Sequence, residues 1–68
     1  MRNMNDQDKL LKLSLMRDNL FITYENLLNA AIAVGAQGWE DVAKPLREAA
    51  ADVNLAHEAI MKRIQEGA

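Results

Sequence analysis

One stretch of this chain carries turn chemistry, Gly35-Ala36-Gln37-Gly38, and each side of it is long enough for a full helix. A connection that short sends the second helix back antiparallel beside the first. The expected fold is therefore all-α: a single helical-hairpin domain over residues 1–68, with one helix over about 6–34, the turn at 35–38 and a second helix over about 39–65.

The helix ends can be read from local chemistry. Asn5-Asp6-Gln7-Asp8 suits a helix start, because Asn5 can cap orphan amides and Asp8, three residues on, meets the positive helix end. Apolar residues then recur at helical spacing to Val34, and Gly35 follows where a left-handed C-terminal cap is wanted. Trp39-Glu40-Asp41 opens the second helix with acidic residues. Pro45 fits if the first turn starts at Asp41 or Val42, and produces a kink if the helix already starts at Trp39. The second helix runs to about Gln65, before Gly67. At 1.5 Å per residue both helices come out at roughly 40 Å.

On the second helix Val42, Leu46, Ala49, Val53, Ala56, Ile60 and Ile64 recur in steps of four and three, the spacing of a coiled-coil seam. Arg47, Glu48, Glu58, Lys62 and Glu66 lie on the other side. The first helix has a wide core face of Leu10, Leu13, Leu20, Tyr24, Leu27, Leu28 and Ala31, flanked by Met16 and Phe21. Nearly opposite sit Leu11, Leu15 and Ile22, continued by Asn26, Asn29 and Ala33. A two-helix hairpin covers one stripe of each helix, so the surplus apolar surface must meet another molecule. The simplest solution is a homodimeric four-helix bundle.

Size points the same way. A chain of 68 residues buries a small fraction of its surface, and without cysteine it has neither disulfides nor thiolate metal sites as staples. The absence of cysteine also fits a reducing, cytoplasmic setting. No apolar run approaches the roughly 18 residues that span a bilayer, and the N-terminus Met1-Arg2-Asn3-Met4 is polar, so no membrane or secretory route is expected. Eight basic and ten acidic side chains give a net charge of -2, which disfavours a nucleic-acid partner.

Catalytic chemistry finds little support. His57 is the sole histidine, at the edge of the second helix's apolar face beside Val53 and Ile60, and its helical neighbours offer no second zinc ligand. Ser14 lies on a regular helix without a strained elbow or glycine-rich loop. Asp18 with Glu25, and Glu48 with Asp52, share polar faces where charges serve solvation and ion pairing. Asp6-Gln7-Asp8 lacks the glycine and distal glutamate of a calcium loop, and Gly35 and Gly38 match no phosphate-binding spacing. The expectation is a chain with no enzyme activity, cofactor or metal.

Three functions remain. The first is a dimeric protein-binding module, an inhibitor or adaptor, presenting a helix face and turn residues to a target. The second is an RNA- or DNA-binding bundle using Arg2, Lys9, Lys12 and Arg17, although Asp6, Asp8 and Asp18 partly neutralise that row. The third is a structural oligomerisation piece, which the irregular Asn26, Asn29, Asn54 and His57 argue against.

The leucine-rich first helix, Asp8-Lys9-Leu10-Leu11-Lys12-Leu13 through Leu27-Leu28, is followed by an alanine-rich second one, Leu46-Arg47-Glu48-Ala49-Ala50-Ala51 through Ile60-Met61-Lys62-Arg63. This layout resembles the small dimeric helical hairpins that bacteriophages encode to disable host proteins, of the anti-activator of quorum sensing type. The resemblance spans most of the chain and implies a cytoplasmic inhibitor of a host regulator; it carries over no individual binding residue. The layout is also similar to plasmid copy-control proteins, which pair hairpins into a four-helix bundle and bind RNA.

The candidate partner contacts are Leu11, Leu15, Phe21, Ile22 and Trp39. Leu13, Leu20, Tyr24, Leu27, Val42, Leu46, Val53, Ile60 and Ile64 are the candidate dimer and core positions. Whether Leu11, Leu15 and Ile22 are dimer core or docking strip stays open at this level, as does the role of Phe21 and Trp39 in closing the core or binding.

Overall fold

A computed structural model describes residues 4–67, with side chains described from residue 6. Two helices pack against each other as a hairpin: α1 over Met4–Ala36 and α2 over Glu40–Gln65. The rod measures 59 × 14 × 12 Å. No helix is long and apolar enough to cross a membrane among the described residues.

α1 starts two residues before the expected Asp6, and α2 starts at Glu40, within a residue of the expected 39. The α1 backbone is already helical at Met4, so Asn5 lies inside the helix rather than at its cap, and the Asn5 side chain and Arg2 fall outside the described residues. Trp39 occupies the N-cap position of α2 and contributes no side-chain cap hydrogen bond. Its carbonyl instead accepts from the Val42 and Ala43 amides at 3.1 and 2.9 Å. Pro45 therefore sits past the first turn of a helix that continues through it, at a position where its missing N–H leaves the Asp41 carbonyl without its usual partner.

The turn corrects the placement of the left-handed residue. Gly35 is helical, and the positive φ of 81° belongs to Gly38. The Trp39 amide donates to the Val34 carbonyl at 3.1 Å and the Gly38 amide to the Gly35 carbonyl at 2.9 Å. This is the paired pattern that closes a helix with a glycine at C′. Gly35, one turn earlier, lies where α2 comes close: a Cβ there would meet the Ala43 Cβ at 3.8 Å.

The interhelical seam also differs in register. On α2 Ala43 and Ala50 are buried and Leu46, Ala49, Val53, Asn54, His57, Ile60, Met61 and Ile64 partly buried, and the line Ala43, Leu46, Ala50, Val53, His57, Ile60, Ile64 runs through them in steps of three and four. On α1 Ala31 is buried and Leu10, Leu13, Ser14, Arg17, Leu20, Tyr24, Leu27, Leu28 and Val34 are partly buried. Leu13, Leu20, Tyr24, Leu27, Leu46, Val53, Ile60 and Ile64 are partly buried along the seam. Val42 is not: it is 41 % exposed, and Ala56 is exposed as well. The physical reason is close approach. Ala31, Ala43 and Ala50 are the buried apolar residues, and no large side chain is fully buried among the described residues. Backbones meet where side chains are smallest, which draws the seam through Ala43 and Ala50.

Helix lengths are unequal, 33 residues for α1 and 26 for α2. Gly35 faces Ala43 and Phe21 faces His57, so each step back along α1 is matched by a step forward along α2. That register brings Gln65 level with Leu13, and the first turns of α1 extend past the end of α2.

Candidate protein-binding surface

Helical rotation of about 100° per residue divides the surface of the hairpin into sides. Leu11, Leu15 and Ile22 form a row on the side of α1 turned away from α2, with exposures of 60 %, 56 % and 55 %. Asp18 lies between them on the same row. Nothing in the hairpin covers these side chains, so they are not part of its core.

Phe21 sits on the flank between that row and the seam. Its ring centroid is 6.0 Å from that of His57, with the planes tilted by 43°, and half of the residue remains exposed. It closes the seam and borders the outward row at once. Trp39 is 56 % exposed at the turn, more than two helical turns beyond the nearest member of the row, so the structure does not gather it with Leu11 and Leu15. Ile32, at 70 % the most exposed of the large apolar residues described, shares the flank of Phe21 toward the turn. Its exposure has no signature in the sequence, because a helix apolar on several sides gives no period by which to pick out one surface residue. Leu55, 63 % exposed on the outer side of α2, has polar neighbours and stands alone.

The hairpin has two broad faces across the seam, and they differ in character. On the Phe21 side α2 contributes polar groups: Arg47 pairs with Glu40, and the Asn54 amide donates to Glu58 at 3.4 Å. A hollow there is lined by Leu28, Ala31, Ile32, Gly35, Glu40 and Arg47. On the other face α1 presents Met16, Leu20, Leu27 and Val34 and α2 presents Val42, Ala49 and Ala56, by the same rotation. At its free end a hollow of about 330 Å³ is lined by Lys9, Lys12, Leu13 and Arg63.

The basic row proposed for nucleic acid is partly engaged. Lys12 Nζ lies 3.2 Å from an Asp8 carboxylate oxygen. Arg17 is partly buried rather than on a free face, and its Nε donates to Asp18 Oδ1 at 3.1 Å. His57 is partly buried against Phe21. No group of three or more His, Cys, Asp or Glu is placed to hold a metal ion among the described residues.

The chain matches no protein-family model, no curated protein and no solved structure.

Proposed function

We propose that this chain is a non-catalytic protein-binding module that assembles as a homodimeric four-helix bundle and inhibits a regulatory protein by direct contact. The observation that carries the reading is the outward row of Leu11, Leu15 and Ile22, each more than half exposed on the side of α1 that α2 cannot reach. Scattered surface leucines need no explanation, but three in helical register beside a half-exposed phenylalanine form an apolar stripe of the kind that seats in a partner's groove. The resemblance to phage hairpin inhibitors supports the inhibitory role and a cytoplasmic setting, and the lack of cysteine is compatible with both.

The test is affinity capture from cell extract with and without nuclease treatment, run in parallel with the unaltered chain and a Leu15→Asp, Ile22→Asp variant. A protein retained by the first, lost with the second and inhibited on titration with the purified chain supports the proposal, provided the variant keeps its dimer mass. A variant that falls to monomer shows these side chains to be dimer core. Retention that disappears with nuclease moves the function to nucleic acid.

A further inference from the structure

The dimer invoked above leaves open which side of the hairpin meets the second copy, and in which sense. We infer that the second copy covers the face formed by Met16, Leu20, Leu27, Val42, Ala49 and Ala56, with the two hairpins turned end for end. This rests on the homodimeric reading and specifies its interface.

Area is the first argument. The accessible surface of 5206 Å² exceeds the roughly 4300 Å² of a compact monomer of 7.6 kDa. The excess, about 900 Å², is close to what each partner gives up in a standard-sized interface. Pattern is the second. Val42, Ala49 and Ala56 each precede by one residue the seam positions Ala43, Ala50 and His57, while Leu46, Val53 and Ile60 are common to both lines. The offset turns the apolar side of α2 toward this one face, where Met16 and Val42 remain 48 % and 41 % exposed. A helix in a four-helix bundle must face two neighbours, and such an offset is what the second neighbour requires. Ala49 and Ala56, one heptad apart, let a facing helix come close.

Charge selects the sense. Lys9, Lys12 and Arg63 gather at the free end of this face, while Asp41 and Asp52 lie on the same edge of α2 nearer the turn. Hairpins paired in the same direction would stack the cations of one copy on those of the other. Turned end for end, Arg63 of each copy approaches the acidic half of the other's edge. The arrangement also lays α1 over its counterpart, so both rows of Leu11, Leu15 and Ile22, each with Asp18 between, emerge on one side of the bundle.

Two measurements test the face and the sense separately. Ala56→Glu places a carboxylate at a position exposed in the hairpin, so helicity should persist while light scattering shows the mass halving; Leu15→Glu should leave the dimer intact. The reverse pattern overturns the assigned face while leaving a dimer, whereas an unaltered chain that is monomeric overturns both the interface and the dimeric reading. A spin label at Gln37→Cys, clean because the chain has no cysteine, reports the sense. Turn-to-turn distances of about 40 Å or more fit end-for-end pairing, and about 20 Å, roughly two helix diameters, overturns it.

Discussion

Phe21 of α1 and His57 of α2 meet ring against ring at 6.0 Å near the middle of the hairpin. In a seam whose buried residues are alanines, this pair of rings ties the helices at a point far from the turn. With half of Phe21 exposed, Phe21→Ala should cost about 2 kcal/mol, less than a fully buried phenylalanine. A double-mutant cycle with His57→Ala, read by urea unfolding at fixed protein concentration, should show a coupling of about 0.5–1.5 kcal/mol. Additive losses would mean that the rings are neighbours without mutual stabilisation.

The two glycines near the turn should respond oppositely. Gly38 holds the left-handed conformation at φ 81°, so Gly38→Ala should destabilise by about 1–2 kcal/mol, with Gly38→Asn milder. Gly35 is helical with 3.8 Å between an added Cβ and that of Ala43, so Gly35→Ala should be neutral or stabilise by up to about 1 kcal/mol. Thermal unfolding of the two variants side by side checks the assignment, and equal losses would contradict it.

Ala43 is 0 % exposed where the helices approach. Ala43→Leu should force them apart and cost about 1–3 kcal/mol, whereas Ala51→Leu, on an exposed position, should change stability by less than about 0.5 kcal/mol. Urea midpoints of the pair would show whether the seam runs through position 43.

That register is where sequence reasoning fell short. The hairpin was legible because Gly38 and its neighbours interrupt two long apolar-periodic segments. Leu46, Val53, Ile60 and Ile64 occur in both possible α2 registers, and the choice falls to Val42, Ala49 and Ala56 against Ala43, Ala50 and His57. Hydrophobicity favours Val42, but close approach of two backbones favours Ala43, and a pattern of apolar letters does not encode interhelical distance. Arg17 differs for a related reason: its charge reads as surface, while the residue is partly buried, as a long aliphatic stem permits. Leu11, Leu15 and Ile22 were identified correctly as a second side of α1, since their angular separation from the core face follows from helix geometry alone.

A core this thin has a consequence for stability in solution. If the folded state is a dimer, each tenfold increase in chain concentration favours it by about 1.4 kcal/mol per dimer, or about 0.7 kcal/mol per chain. For a domain of this size about 1 kcal/mol moves the thermal midpoint by roughly 4–8 °C, so the midpoint should rise by about 3–6 °C per decade of concentration. Circular dichroism melts across two decades, with the Ala56→Glu variant as reference, measure this directly. The unaltered chain should show the slope, and the variant should melt lower at a midpoint that no longer moves with concentration. A flat line for the unaltered chain would mean that Ala31, Ala43, Ala50 and their partly buried neighbours hold the hairpin together without a second copy.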